Sequence, residues 1–231
     1  YGNTGKYWAQ SAKMLGLLLL SLRGTPFLYQ GEEIGMTNFD FASPTELEDI
    51  ESKNVLRLME KMGFPARMRW RIMQLRSRDN ARTPYQWSDG KNAGFTEGTP
   101  WLGINGNYTH INYEAQRGDP FSIWNFYREM IAFRADSTIL RLGTFKALET
   151  TRHIFAFERA LEGEKLTVIV NFSDSNRQVD YRGDVAFSNS TRRIFSGTLF
   201  PYEAVILTGA GERAFTAGLD LKELGAETSN L

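Results

Sequence analysis

The sequence has no cysteine among its 231 residues, which excludes disulfides, thiolate nucleophiles and Cys-based zinc sites. Histidine is nearly as scarce. His110 and His153 stand alone, with no ligand spacing around either, and both are expected at the surface or in loops. Net charge is missing too, because 27 Lys and Arg balance 27 Asp and Glu. No overall field favours nucleic acid, acidic membrane or a polyanionic substrate, so a neutral ligand is expected. The apolar run MLGLLLLSL, Met14 to Leu22, falls far short of the roughly 20 residues that a bilayer requires. No membrane partner and a cytoplasmic location are the corresponding expectations. Phosphate loops, nucleophile elbows and metal clusters are absent as motifs, and no cofactor or metal is expected. The chain starts at Tyr1 rather than Met, with no basic n-region or cleavage site, which suggests that sequence upstream has been cut away.

What is present reads as globular. Hydrophobic residues make up 42% and aromatics 13%, enough for a core in one large domain or two ordinary ones. Thr4 to Arg23 reads as a buried helix, with apolar residues at Trp8, Ala12, Leu15, Leu18, Leu19 and Leu22 and a stop at Gly24. The following TPFLYQGEEIG, Thr25 to Gly35, is an apolar run that ends in polar residues. A helix, a buried strand and a polar strand end form the grammar of a parallel α/β unit, whose active face lies at the strand C-termini. Tyr29 and Gln30 fall at that end and are candidate site residues, although Tyr29 would serve equally as core.

Ser43, Pro44 and Glu46 carry a helix-start signature of cap, first-turn proline and capping box. The helix is expected to run to Met62, with Asp49 and Lys53 paired at i,i+4. A second, Arg-rich helix follows from Ala66 to Leu75, with Met68, Ile72 and Leu75 as its apolar stripe. Its arginines interleave with Trp70, but the zero net charge and the lack of a recognised module argue against nucleic acid as a partner. Ser77 to Gly118 is long for a loop, and long loops in compact domains tend to be functional. A helix from Asp119-Pro120 to Arg134 is expected to bury Phe121, Trp124, Tyr127 or Arg128, Ile131 and Phe133. After Gly143 the texture changes to short strands: Ile154–Arg159, Leu166–Phe172, Arg192–Phe195 and Glu203–Thr208. A boundary near Leu142 and a second, antiparallel β-sandwich domain are expected. Residues 211–231 carry weak patterning and read as a tail.

Within the long loop, RDNARTPYQW (Arg78 to Trp87) places two arginines around an Asp-Asn pair, then a rigid Thr-Pro and two aromatics. A pocket that grips a hydroxyl-covered ligand would use all of these. Taken with GTPFLYQGEEIGMTN, AGFTEGTPWLGINGNY and PFSIWNFYREMIAFR, the loop resembles the α-glucosidase branch of glycoside hydrolase family 13. Within that branch it is most similar to the oligo-1,6-glucosidase and dextran glucosidase group, over roughly Tyr1 to Ala210.

The resemblance implies a (β/α)8 TIM barrel followed by a C-terminal β domain. Residues 1–142 would be the C-terminal part of the barrel, with GTPFLYQ as its last strand. Residues 143–210 would be the β-sandwich and 211–231 the tail. The family's catalytic Asp, Glu and second Asp lie on earlier strands, so the resemblance implies no catalytic residue in this chain. Glu32 and Glu33 do not replace them. Retaining glycosidases need carboxyls about 5–5.5 Å apart across one bond, and neighbours on a strand point to opposite faces.

The resemblance further implies that Arg82, Arg78 or both close the subsite for the non-reducing glucose. A guanidinium fork can donate to a carboxylate and a sugar hydroxyl together. The alternative is that both merely tie the loop to carboxylates such as Asp79. Glu51 would lie near the leaving-group side, unless it is a solvated helix-face residue. The implied partner is an oligosaccharide carrying terminal α-1,6-glucosidic bonds. Trehalose-6-phosphate hydrolases, sucrose isomerases and α-1,4-glucosidases share most of these motifs, and a non-catalytic carbohydrate-binding module is the reading from another class. Size-exclusion chromatography separates these. A barrel fragment exposes the apolar sides of LLLLSL and PFLY and is expected to self-associate or aggregate, whereas a stand-alone module runs as a monomer.

Overall fold

The computed structural model describes residues 2–148 and 150–209, so the reading of 211–231 as a tail lies outside the described residues. Helix α1 (Trp8–Ser21) is shorter at both ends than the apolar pattern suggests. At its start the Asn3 carboxamide oxygen accepts the amides of Gly5 and Tyr7, at 2.9 and 3.1 Å, and holds that stretch in a turn. At its end Leu22 is extended.

The run that follows is not a strand. Residues 25–29 have no ladder partner, and Phe27, Leu28 and Tyr29 are 83%, 42% and 51% exposed. The apolar content was read correctly, but a strand exists only where another strand satisfies its amides and carbonyls. All strand pairing among the described residues is antiparallel.

Helix α2 (Ile50–Lys61) begins at Asp49, which accepts the Ser52 amide at 2.9 Å, and not at Ser43. The expected long helix is broken because the Asp79 carboxylate takes the amides of Glu48 and Asp49, at 2.7 and 2.9 Å. Ser43 and Pro44 lead only into a short 3-10 turn. There Ser43 bonds the Thr45 hydroxyl, and Glu46 accepts the Ala42 amide. Lys53 pairs with Glu48 at 3.4 Å in place of Asp49.

Helix α3 (Ala66–Arg76) lies where expected, but it turns Met73, Trp70 and Ile72 toward Phe41, Leu47 and Met59. Met68 and Leu75 are left exposed. The long loop holds 3-10 turns at Arg78–Ala81, Lys91–Gly94 and Gly106–Thr109, and the short helix α4 (Tyr113–Gly118). Helix α5 (Ile123–Asp136) is capped by Ser122, whose hydroxyl accepts the Asn125 amide. It buries Ile123, Phe126, Tyr127, Met130 and Arg134, while Phe121 and Ile131 face out. This rotation lets α5 pack on α1 so closely that a Cβ on Gly16 would stand 2.7 Å from the Tyr127 ring.

After α6 (Thr138–Leu142) the chain is antiparallel. Strands β1 (Thr144–Ala147), β2 (Ile154–Leu161), β3 (Glu164–Asn171), β4 (Arg177–Gln178), β5 (Gly183–Ser188), β6 (Ile194–Phe195), β7 (Thr198–Leu199) and β8 (Ala204–Thr208) follow. They form a six-stranded sheet, β1-β2-β3-β8-β5-β6, and a two-stranded β4–β7 ribbon. The period of two sorts the core. Phe157, Val168, Val170, Ala204 and Ile206 face α1 and α5 in one apolar cluster. Ala156, Ile169, Val205 and Leu207 face Leu199 of the ribbon in another.

Two buried arginines fasten the helices to the sheet. Arg134 on α5 donates to the carbonyls of Leu20, Leu22 and Gly24 at 2.6, 3.2 and 2.6 Å. Arg159 on β2, with no exposed surface, donates to Ser21, Gly143 and Thr144 at 2.7, 2.9 and 2.9 Å. Burial lowers both pKa values, yet a guanidinium stays protonated in proteins. The carbonyls at the end of a helix carry partial negative charge, so cations belong there. Arg159→Met leaves three carbonyls short of a donor. It is expected to cost about 3 kcal/mol in urea denaturation, and an unchanged midpoint would show that water replaces the guanidinium.

Candidate functional site

The loop that drew attention in the sequence is anchored from within. Ser77 ends α3, and its hydroxyl accepts the Asp79 amide at 3.2 Å and a bond from the Ser52 hydroxyl at 3.0 Å. Asp79 is turned inward without exposed surface. One carboxylate oxygen takes the two amides ahead of α2; the other, Oδ1, has no hydrogen-bond partner. Asn80 accepts the Phe39 amide and donates to the Gln74 carbonyl, which ties the loop to the segment after Gly35. Farther along, Tyr85 donates to Glu33 at 2.6 Å. Burial, with that bond adding to it, pushes the Tyr85 phenol well above its usual range. Tyr85, Trp87, Tyr113 and Trp124 then stack edge to tilt at 4.5, 5.8 and 5.3 Å between ring centres.

On this frame the two arginines separate. Arg78 pairs with Glu51 at the surface, both side chains being more than half exposed. Arg82 lies with one terminal nitrogen 3.7 Å from Oδ1 of Asp49 and 3.7 Å from Oδ1 of Asp79. Its side chain is 40% exposed and makes no hydrogen bond among the described residues. Two buried carboxylates thus hold a guanidinium by charge while its N–H donors stay free for something else.

Tyr29 and Gln30 lie with Glu32, Asn38, Ser77, Asn80 and Thr83 around an open cavity of ≈ 290 Å³. Arg78, Arg82 and Glu51 are not among its lining residues. Glu32 also borders a larger groove of ≈ 850 Å³ whose wall is the Leu15, Leu18, Leu19 and Leu22 side of α1. The Glu32-Glu33 pair sits in a 3-10 turn rather than on a strand. Glu33 is occupied by Tyr85 and the Gly31 amide. Glu32 accepts the Tyr29 amide at 3.3 Å, and burial raises its pKa.

Asp49 is the anchor that sequence reasoning missed. Its spacing to Ser52 is a cap signal, but the stronger Ser-Pro-x-Glu pattern six residues earlier drew the helix start away. Among the described residues no cluster of His, Asp and Glu could hold a metal ion, and no helix is long and apolar enough to cross a membrane.

Known proteins share this frame. A family model described as "Alpha amylase, catalytic domain" matches residues 1–143. The oligo-1,6-glucosidase of Parageobacillus thermoglucosidasius is 44% identical over 176 residues, 75% of this chain and 31% of its own length. The trehalose-6-phosphate hydrolase of Escherichia coli K12 is 42% identical over 174 residues, 75% of this chain and 32% of its own length. The chain therefore spans under a third of either relative. Among solved structures, the trehalulose synthase MutB of Pseudomonas mesoacidophila MX-45 superposes with a TM-score of 0.81 at 36% identity, over 87% of this chain and 38% of that one. A Bacillus licheniformis trehalose-6-phosphate hydrolase does so with 0.81 at 37%, over 90% and 40%.

The Asp49 pKa lies below its ordinary value, chiefly because the Ser52 hydroxyl donates to it at 2.6 Å. Its stabilising contribution is complete above the usual aspartate range near about 3.9. That contribution is lost as the pH falls through the folded-state value. Asp49→Ala is expected to cost about 1 kcal/mol at neutral pH and to flatten the acid side of a stability-against-pH curve. Urea midpoints measured from neutral to acid check both, and an acid limb as steep as the wild type's would refute the assignment.

Proposed function

This chain belongs to the alpha-amylase family, and from that premise we propose that it is the C-terminal portion of a retaining α-glucosidase acting on terminal α-1,6-glucosidic bonds of isomalto-oligosaccharides. In this reading residues 1–142 complete the catalytic barrel, residues 143–210 form the β-sandwich domain, and the catalytic carboxylates belong to the rest of the enzyme. The chain by itself is inactive.

The observation that carries the reading is Arg82. Its guanidinium is held 3.7 Å from two buried carboxylates, its side chain 40% exposed and without a hydrogen bond among the described residues. That is what a group waiting for a neutral, hydroxyl-bearing ligand looks like, because the carboxylates fix its charge and leave its donors unspent. The nearby cavity supports the same ligand class, since Tyr29, Gln30, Asn38, Ser77, Asn80 and Thr83 are among its lining residues, beside Met36 and Leu75. Arg78 and Glu51, paired to each other, would border the leaving-group side. Similarity to oligo-1,6-glucosidases supports the linkage.

Glucose release from isomaltose, maltose and trehalose 6-phosphate tests this, using the chain alone and the full-length protein. The expected result is an inactive chain and a full-length enzyme that prefers isomaltose and releases α-glucose, followed by NMR of the first-formed anomer. In the full-length enzyme, Arg82→Ala is expected to lower kcat/KM about 100-fold, the loss of one charge-assisted contact of about 2.7 kcal/mol. Preference for trehalose 6-phosphate would move the protein to that hydrolase group. Turnover by the chain alone would overturn the assignment of the site.

A further inference from the structure

The cavity beside the loop has two walls that come from separate stretches of the chain. Tyr29 to Asn38 supplies one, and Leu75 to Thr83 supplies the other. Its width therefore depends on the bonds that cross between them. The Asn38 carboxamide donates to the Leu75 carbonyl at 3.3 Å, and the Phe39 amide donates to the Asn80 side chain at 3.1 Å. From Tyr29 to Met36 a single bond reaches the loop among the described residues, the one that Glu33 accepts from the Tyr85 phenol at 2.6 Å. Of these three it alone has an ionised partner, which makes it roughly twice as strong as a neutral bond.

Glu33 carries that constraint into the wall. One of its oxygens accepts the phenol and the other the Gly31 amide at 2.9 Å. Gly31 has a φ of +90°, and a Cβ there would stand 2.6 Å from the Met36 sulfur, so the turn is closely packed. Its carbonyl accepts the Met36 amide at 2.8 Å. Farther on, the Ile34 and Gly35 carbonyls are held by Gln116 and Trp8, each at 2.7 Å. The direction of Tyr29 and Gln30, just ahead of Gly31, is thus set through Glu33.

On the other side a short, stiff link couples the phenol to Arg82. Thr83 and Pro84 lie between them, and both are buried. Proline fixes its own φ and restricts the residue before it. The Tyr85 ring is itself buried and packs on Trp87. Neither Tyr85 nor Glu33 lines the cavity, so each acts on a ligand only through the walls.

We infer that Tyr85 and Glu33 are positioning residues of the sugar site, whose bond holds the turn bearing Tyr29 and Gln30 against the loop bearing Arg82. The sugar rests on the α-glucosidase reading above; the coupling of the two walls rests on the geometry alone. Binding groups are only as well placed as the contacts that support them, and a displacement of about 1 Å is enough to matter. These walls address hydroxyls that the reaction leaves unchanged. Ground state and transition state therefore lose the same contacts when the walls part, which raises KM and leaves kcat in place.

Steady-state kinetics of the full-length protein on isomaltose test this, with glucose as competitive inhibitor and urea midpoints as the control for folding. Tyr85→Phe keeps the ring and removes the donor. It is expected to raise KM and the glucose inhibition constant about tenfold, with kcat within about twofold of the wild type. Glu33→Gln keeps an acceptor and removes its charge, and should raise both constants about threefold. The double variant should match Tyr85→Phe alone, because the bond is already broken.

A lower urea midpoint with KM and the glucose constant unchanged would make the bond purely structural and overturn the inference. So would a fall in kcat at constant KM, or effects of the two substitutions that multiply. Should Tyr85→Phe fail to fold, Glu33→Gln decides by the same criteria. A full-length wild type without glucosidase activity would sink the proposed function; the inference then stands or falls on whether glucose binding, measured by calorimetry, weakens in Tyr85→Phe. An active wild type whose variants behave like it sinks the inference alone.

Discussion

Six backbone carbonyls converge on two guanidiniums, and the arrangement of the molecule follows from that. Among the described residues Arg134 and Arg159 have no carboxylate partner; what neutralises them is the negative end of α1 and the turn between α6 and β1. A cation among dipoles avoids the directional demand of an ion pair and satisfies carbonyls that no helix could. Because one arginine comes from α5 and the other from β2, the end of α1 is defined by both. Tyr127 against Gly16 and the sheet's inner face against Met14 and Leu17 then fall into register. The segment from Gly24 to Gln30 is aimed from this fixed point toward the cavity at Tyr29.

The loop with Arg82 depends on a comparable device of opposite sign. Asp79 and Asp49 are buried anions whose partners are amides and hydroxyls, and each spends part of its capacity on backbone. In both places a charge is kept inside by dipoles. At the α1 end the result is rigidity. At the loop it is a guanidinium that is positioned yet unfinished, which is the combination a binding group requires.

Much of this was legible in the sequence, and what was not has physical causes. The strands β2, β3 and β8 were visible because their β-branched and aromatic residues are dense. Strands β1, β4, β5 and β7 were not, being short, polar or dependent on a neighbour for their pairing. TPFLYQ has strand composition but lacks a partner strand among the described residues, and composition does not supply one. The start of α2 was misplaced because a carboxylate 30 residues away claims the amides that a helix would have used. For the site, the motif drew attention to the loop and named Asp79 as a possible tie. It could not tell that Arg78 would turn to Glu51 while Arg82 turned to a pair of buried acids, since that division depends on how α2 and the loop face each other.

The bond from Arg159 to the Ser21 carbonyl spans 138 residues of sequence. During synthesis at about 5–20 residues per second, α1 therefore leaves the ribosome some 7 to 28 seconds, in rough terms, before its clamp exists. For most of that interval α5 and the sheet, which pack on α1 in the finished structure, have yet to be made. The contact that fixes the finished structure is thus among the last to form, and its delay is set by the distance along the chain between a helix and the arginine that ends it.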